Sequence, residues 1–392
     1  MKNFLGFTAA FISASLFLTP SASAFDPVTA ANVFSRLSSA PALNHPAVSL
    51  IDVRTGEVVF ESNANVQSKP ASLMKLLSAC ATLKYLDPAK TFDTSISLGV
   101  NPDSLVINGD FDPWISMKSV EAAKMHRTSF YGLATSSFNA ARKNSDTPIK
   151  KLTIYYNDLF SKDVANFKAY YKKRGVRATM ISVGESKAQS LSAEQIIYSA
   201  SPSVKVIMNW FLTWSDNVVS ERMARLAAKA AGNQFNDKGV ATTFATILQN
   251  LGISPAKVIV KDASGLSKEN KVTASVLSQL LYKIHSDPQL TSLIDGLPIS
   301  GKTGTLEKRY IDTAPEAVGL VKAKTGTLSG TIGLAGYVQS GEHEYAFVVI
   351  ADKIKRSYSA SQLARKSLDT YLSKIATPLI MAQSDTATAI IG

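Results

Sequence analysis

Residues 70–86 read PASLMKLLSACATLKYL, a long apolar run that opens with a proline. A proline followed by leucines and alanines predicts an apolar helix that continues to about Leu86. Ser72 and Lys75 are three residues apart, so on such a helix the hydroxyl and the amine lie on one face. The helix N-terminus places free N–H groups beside the serine, and a desolvated lysine can take the serine proton. The stretch therefore predicts an activated serine on a buried helix.

A second motif, Ser215-Asp216-Asn217, lies within a block of helical periodicity. Its serine hydroxyl could relay a proton, and the amide of Asn217 could orient a substrate peptide bond. Taken alone, the motif is better explained as a helix N-cap or a surface turn. Its meaning therefore depends on the motifs on either side of it.

The third motif, Lys324-Thr325-Gly326, follows a predicted strand and precedes Thr327. The lysine offers positive charge, Thr325 offers a hydroxyl for a carboxylate, and the glycine lets substrate approach the backbone closely. Ser-x-x-Lys, Ser-Asp-Asn and Lys-Thr-Gly thus occur in sequence, each in the element that its role needs. That order is the signature of serine acyl transfer.

A duplicate motif competes with the third one. Lys302-Thr303-Gly304 is also a Lys-Thr-Gly, and residues 296–303 satisfy the Walker A pattern. A P-loop follows a buried strand, whereas helical periodicity precedes this segment and Pro298 lies inside it. A pair of predicted strands follows Lys324 but not Lys302. We therefore assign the functional lysine to Lys324 and do not favour a nucleotide-binding loop.

The composition is globular, with 45% hydrophobic and 18% charged residues in a chain of 392. These proportions exclude disordered and collagen-like classes. The single cysteine, Cys80, excludes an intramolecular disulfide and a multi-cysteine zinc site. The four histidines are not paired at metal-ligand spacing. The sequence therefore predicts no metal and no cofactor.

Residues 1–24 have the pattern of a signal peptide, with Lys2, an apolar run over residues 4–18 and Ala22-Ser23-Ala24. Cleavage before Phe25 predicts an extracytoplasmic protein that is periplasmic, wall-associated or secreted. An uncleaved N-terminal anchor is the alternative. Cleavage would lower the net charge of +12 by one.

Much of the positive charge lies in one segment. Residues 118–187 hold fourteen Lys and Arg against five Asp and Glu. This excess predicts a solvated basic face or, alternatively, weak contact with an anionic wall polymer or a membrane surface. Nucleic acid is not expected outside the membrane.

The pattern of predicted elements divides the chain. A β-hairpin at 48–61 near the start, strands at 319–323, 331–338 and 345–350, and a helix at 358–374 bring the two ends into one antiparallel sheet flanked by helices. Helical periodicity at 203–232, 238–250 and 273–286 lies between them. We expect a signal peptide at 1–24, a catalytic domain from 25–90 and 191–375, an inserted basic subdomain at 91–190, and a mobile tail at 376–392.

In combination, the motifs resemble the type-4 penicillin-binding proteins, the class C low-molecular-mass D-alanyl-D-alanine carboxypeptidases/endopeptidases. The likeness extends to residues 262–267, Leu297-Pro298, Gly304-Thr305-Leu306 and residues 334–337. It implies the α/β penicilloyl-serine transferase (DD-peptidase/β-lactamase-like) fold, an antiparallel sheet flanked by helices, with a helical subdomain and a shortened insert. Tyr156-Asn157-Asp158 stands where the family has an acidic pair, which leaves side-chain specificity open.

The resemblance also implies roles for the first two motifs. Ser72 would be the acylated nucleophile and Lys75 its base. Ser215 would shuttle the proton to the leaving D-alanine, and Asn217 would hold the substrate amide.

The remaining implied roles concern substrate binding. Lys324 and Thr325 would bind the terminal carboxylate, with Gly326 beside them. The N–H groups of the nucleophile and of Thr327 would form the oxyanion hole. Arg309 would contact substrate.

The resulting hypothesis is a serine DD-peptidase that hydrolyses the D-Ala-D-Ala bond of peptidoglycan stem peptides, and D-Ala–diamino acid cross-links, and that β-lactams acylate at Ser72. The alternative is a catalytically weak penicillin- or wall-binding protein on the same fold. A class A β-lactamase would need a Glu-x-x-Leu-Asn element between Asn217 and Lys324, where none occurs.

Overall fold

The computed structural model describes residues 26–379, so the predicted signal peptide and residues 380–392 of the predicted tail lie outside it. The strands are β1 (Ala47–Asp52), β2 (Val58–Ser62), β3 (Asp93–Gly99), β4 (Ser104–Asn108), β5 (Lys151–Asn157), β6 (Arg177–Ser182), β7 (Ser192–Ala200), β8 (Val321–Leu328), β9 (Thr331–Ser340) and β10 (His343–Ala351). The helices are α1 (Pro27–Ser38), α2 (Lys75–Tyr85), α3 (Ser119–Lys124), α4 (Phe130–Lys143), α5 (Ser161–Lys172), α6 (Glu185–Leu191), α7 (Val204–Thr213), α8 (Asn217–Ala230), α9 (Asp237–Asn250), α10 (Ala274–Ser286) and α11 (Tyr358–Ser373).

The first sheet joins the two ends of the described chain. Its strand order is β2-β1-β10-β9-β8, and every neighbouring pair is antiparallel. Ala47 of β1 lies opposite Ile350 of β10, which confirms the predicted closure. The predicted strand at 319–323 is too short, because β8 continues to Leu328. Lys324 and the three residues after it therefore lie inside an edge strand rather than beyond its end.

Both faces of this sheet are covered, because successive side chains on a strand point to opposite faces. On β10, alternate residues join two separate cores. One core also contains residues of α2 and of α7–α10, and the other contains residues of α1 and α11. The two sets are Ala346, Val348 and Ile350 on the first face, and Tyr345, Phe347 and Val349 on the second.

The helix predicted from residue 70 begins differently from the prediction. Ala71–Met74 forms a 3₁₀ turn, and the α-helix α2 starts only at Lys75. Ala71 has φ 49°, a left-handed conformation that is uncommon for a residue with a Cβ. Every residue of α2 from Lys75 to Leu83 is buried. The turn therefore presents Ser72 at the end of a helix that the core fixes in place.

The helical block predicted at 203–232 is two helices. α7 ends at Thr213 and α8 begins at Asn217, with Ser215 at φ 60° between them. The carboxylate of Asp216 caps α8 by accepting a hydrogen bond from the N–H of Val219 at 3.0 Å. Capping residues favour a helix start at their own position, which explains the break.

A second sheet forms from residues 93–200. Its order is β6-β5-β4-β3-β7, parallel through β4, β5 and β6, and antiparallel at β3. The boundary predicted at residue 190 is wrong, because β7 pairs with β3 within this sheet. β7 was missed because no residue on it is fully buried, so its sequence lacks strong apolar alternation.

Two ion pairs, the first partly buried and the second buried, hold this segment against the helices that follow it. Arg127 Nη1 lies 3.0 Å from Asp216 Oδ2, and Arg222 Nη2 lies 2.7 Å from Asp163 Oδ1.

Apart from Arg127, and from Lys124, whose side chain is not described, each Lys and Arg of residues 118–187 is exposed. Between residues 26 and 379, no helix combines the length and the apolar character that crossing a membrane requires.

Candidate active site

The amine of Lys75 joins three separate parts of the chain. Its Nζ donates hydrogen bonds to Ser72 Oγ at 3.1 Å, to Asn217 Oδ1 at 2.7 Å and to the carbonyl oxygen of Ser264 at 2.7 Å. Lys75 is fully buried, whereas Ser72 is only partly buried. The Ser-x-x-Lys and Ser-Asp-Asn motifs therefore meet at one amine, beside a hydroxyl that solvent can reach.

Burial controls the charge of the two site lysines. Desolvation lowers the pKa of Lys75 from its ordinary 10.5 to about 8, although the carboxylates of Glu221, Asp216 and Asp262 oppose this shift. Burial, together with the nearby ammonium of Lys75, lowers the pKa of Lys324 well below its ordinary value. A substantial fraction of Lys75 is therefore neutral near pH 8 and can accept a proton.

Strand β8 lies directly against the turn that carries the serine. A Cβ on Gly326 would lie 2.8 Å from the carbonyl oxygen of Pro70, closer than real Cβ contacts allow. The glycine therefore permits close packing of β8 on the Ser72 turn. This differs from the predicted reason for the glycine, which was close approach of substrate.

The side chains of β8 differ in their exposure. Lys324 is fully buried, and its Nζ donates to the carbonyl oxygen of Thr325 at 3.2 Å. The hydroxyl oxygens of Thr325 and Thr305 lie 2.8 Å apart, which brings the Gly304-Thr305-Leu306 segment to the strand. Thr327 is exposed. The third motif thus joins a buried amine to hydroxyls at the surface.

The loop that contains Ser264 and Gly265 carries no predicted catalytic residue, but it supports Lys75. Glu221 Oε1 accepts the N–H of Ser264 at 2.7 Å, which fixes the carbonyl that Lys75 contacts. Gly265 has φ 84°, and a Cβ there would lie 1.7 Å from the carbonyl oxygen of Ala71. The loop is therefore packed on the nucleophile turn. Glu221 could have been found from the sequence, because it lies four residues after Asn217 on the same helical face.

A sequence profile of the D-Ala-D-Ala carboxypeptidase 3 (S13) family matches residues 29–128 and 145–375. The chain belongs to this family. Among its relatives, carboxypeptidase DacB of Mycolicibacterium smegmatis is 30% identical over 350 residues, which cover 76% of this chain and 75% of that protein. The D-alanyl-D-alanine carboxypeptidase of Actinomadura sp. strain R39 is 33% identical over 176 residues, 43% of this chain and 32% of that protein.

The fold is also found in a solved relative. Penicillin-binding protein 4 from Haemophilus influenzae superposes with a TM-score of 0.64 at 15% identity, covering 88% of this chain and all of that one. The predicted family and the predicted DD-peptidase fold are therefore confirmed, and the S13 chain is a serine D-Ala-D-Ala carboxypeptidase. The gap between the two stretches that the family profile matches, residues 129–144, contains α4.

A groove of about 740 Å³ opens beside the second motif of this S13 carboxypeptidase. Ser215 and Asn217 line it, together with Trp210 and Trp214. Trp214 is 48% exposed, so its ring lies at the groove surface. Asp216, in contrast, is structural, because it caps α8 and pairs with Arg127.

Arg309 is held by a carboxylate on the last helix. Its Nε donates to Asp369 Oδ2 at 3.2 Å, and its Nη2 contacts Asp369 Oδ1. The guanidinium is 15% exposed and is tied to α11. Arg309 therefore fixes α11 to the segment after Leu306.

The duplicate motif lies outside this constellation. Thr291–Gly296, a 3₁₀ helix rather than a buried strand, precedes the Walker-like residues. Lys302 is exposed, whereas Lys324 is buried. The geometry is not that of a P-loop, in agreement with the choice of Lys324 from the sequence.

Proposed function

We propose that this S13 carboxypeptidase hydrolyses the D-Ala-D-Ala bond of peptidoglycan stem peptides through an acyl-enzyme on Ser72. The observation that carries the proposal is the 3.1 Å contact between Lys75 Nζ and Ser72 Oγ, with the amine buried and its pKa lowered to about 8. A serine needs such a base within hydrogen-bond reach to become a nucleophile at neutral pH.

Acylation then proceeds by proton transfer, attack on the substrate carbonyl and departure of D-alanine. Neutral Lys75 takes the proton of Ser72, whose Oγ attacks the carbonyl carbon of the penultimate D-alanine. The N–H groups of Ser72 and Thr327 stabilise the oxyanion that forms. The C–N bond breaks, and Ser215 passes the proton from Lys75 to the amine of the departing D-alanine.

Deacylation uses the same groups in reverse order. Lys75, neutral again, takes a proton from a water molecule that attacks the ester carbonyl of acyl-Ser72. The C–O bond breaks, and the proton returns to Ser72 Oγ. Asn217 binds the backbone amide of the acyl group throughout, whereas Lys324 with Thr325 and Gly326 binds the carboxylate of the terminal D-alanine only before that residue departs.

Release of free D-alanine from a peptide ending in D-Ala-D-Ala tests the proposal directly. A matched peptide ending in D-Ala-L-Ala is the control for stereochemistry. Catalytic turnover that penicillin blocks would support the proposed hydrolysis of the D-Ala-D-Ala bond. Stoichiometric acylation without turnover would instead support the alternative, a catalytically weak penicillin-binding protein. Conversion of a cross-linked dimer into its two monomeric peptides would show endopeptidase activity as well.

The two Lys-Thr-Gly motifs should respond very differently to substitution. Lys324→Ala should lower the acylation rate by about two to three orders of magnitude, because it removes a buried electrostatic group beside the reacting atoms. Lys302→Ala should change that rate only a few-fold, because Lys302 is exposed and belongs to the duplicate motif. Stopped-flow acylation by a chromogenic β-lactam measures both. The opposite ranking would place the substrate strand elsewhere.

We propose, further, that the protein acts outside the cytoplasm after cleavage of residues 1–24, on the strength of their signal-peptide pattern. We treat residues 91–200 as the inserted subdomain, because all five strands of the second sheet lie between 93 and 200. The exposed Lys and Arg of residues 118–187 support weak contact with an anionic wall polymer or membrane surface through this subdomain.

A further inference from the structure

An arginine of the last helix reaches the substrate strand. Arg365 on α11 is half-buried, and its Nη2 donates to Thr327 Oγ1 at 3.4 Å while its Nη1 donates to Gln362 Oε1 at 3.1 Å. In the chain from residue 26 to residue 379, no carboxylate lies within ion-pair distance of this guanidinium. Asp369, one turn further along α11, is bound by Arg309 instead.

A half-buried cation with no carboxylate in direct contact, and with Asp369 already paired to Arg309, favours the binding of an anion. The hydroxyls available for that anion are on β8. Thr325 and Thr327 are two residues apart, so they share one face of the strand. Thr327 accepts its hydrogen bond from Arg365, which leaves its own hydroxyl proton free to donate. The guanidinium and the two hydroxyls thus supply the hydrogen-bond donors that a bound carboxylate requires.

The charge of Arg365 also differs in kind from that of Lys324. Lys324 is fully buried, and burial with the neighbouring Lys75 ammonium lowers its pKa well below the ordinary value. A guanidinium stays protonated at every working pH. Arg365 is therefore the group beside β8 whose positive charge does not depend on the protonation of the catalytic lysines.

We infer that Arg365 is a specificity-determining residue that, with Thr325 and Thr327, binds the terminal carboxylate of the substrate. This inference rests on the proposed function, since it takes the anion to be the C-terminus of a D-Ala-D-Ala peptide. Arg309, the other arginine near this end of α11, is engaged by Asp369 instead.

The test compares two substrates that differ only in this charge, a peptide ending in D-Ala-D-Ala and the same peptide with a C-terminal carboxamide. Arg365→Gln should lower kcat/KM for the carboxylate by about ten- to a hundredfold, the effect of losing one charge-assisted hydrogen bond. For the carboxamide it should change kcat/KM by less than about threefold. The ratio of the two values does not depend on the fraction of folded enzyme, so partial misfolding cannot mimic the result.

Two further variants sharpen the test. Lys366→Gln removes the same charge from the next, exposed residue and should leave the ratio unchanged. Arg365→Lys should recover part of the discrimination, because it restores the charge without the planar fork. Equal losses on both substrates would overturn the inference and make Arg365 a purely structural support of Thr327. No loss on either substrate would overturn it as well.

The inference and the proposed function fail in different ways. A wild-type protein that neither releases D-alanine nor forms a penicillin adduct contradicts the proposed function. A wild-type protein that does both, alongside an Arg365→Gln variant with the same substrate ratio, contradicts the role of Arg365 alone.

Discussion

Incubation with a β-lactam should add one covalent equivalent to the protein, and peptide mapping should place it on Ser72. Ser72 is the hydroxyl that Lys75 contacts, and it is partly exposed at the turn before α2. Ser72→Ala should abolish the adduct, because it removes the only atom through which the acyl bond can form. Mass spectrometry of the intact protein measures the stoichiometry in each case.

A serine on the same helix provides the matched control. Ser78 is buried, and its hydroxyl donates to the carbonyl oxygen of Ala263 at 2.7 Å, away from the reacting atoms. Ser78→Ala should still take up one equivalent. Thermal unfolding of both variants verifies that the fold persists. An adduct on any other residue, or one that survives in Ser72→Ala, would refute the assignment of the nucleophile.

Lys75→Arg should lower the acylation rate by about two to four orders of magnitude, the range found for the loss of a general base. The variant keeps the positive charge, but a guanidinium does not deprotonate at any working pH. Lys84→Arg is the matched control, because Lys84 belongs to the same helix and pairs with Asp287 at 2.7 Å outside the site. It should retain the wild-type rate. Substantial acylation in Lys75→Arg would identify Lys75 as an electrostatic support only.

The wild-type pH profile provides an independent measure of the same base. The pKa of Lys75 is lowered to about 8, so the reactive neutral form is lost as the pH falls below that value and is regained above it. The acylation rate should therefore rise about fiftyfold between pH 6 and pH 8 and level off above pH 9. A β-lactam that is stable over this range is the probe. A flat profile between pH 6 and pH 8 would contradict a base with this pKa.

The parts of the site that side-chain spacing determines could be predicted from the sequence. Ser72 and Lys75 share a face at three-residue spacing, and Asn217 joins them through a 2.7 Å contact. The order of the first sheet was also predictable, because apolar strands at both chain ends require a common core. The pKa of Lys75 falls through burial, as an apolar helix leads one to expect.

Other features depend on backbone atoms or on distant partners, which leave no pattern in the sequence. The carbonyl oxygen of Ser264 contacts Lys75, and a carbonyl looks the same in every residue. Arg309 matched a family motif, yet its orientation is set by Asp369, which lies 60 positions further along the chain. β7 has its side chains largely exposed, so only its pairing with β3 reveals it as a strand.

The pairing of β1 with β10 has a consequence for how the protein matures. A chain that emerges from its N-terminus presents Ser72 long before Lys324, and β1 gains its second neighbour only once residues up to Ala351 have arrived. Until then the nucleophile has neither the strand that carries the third motif nor the core that desolvates its base. A partly folded chain should therefore not react with β-lactams, and uptake of a labelled drug should report completion of folding rather than completion of the polypeptide.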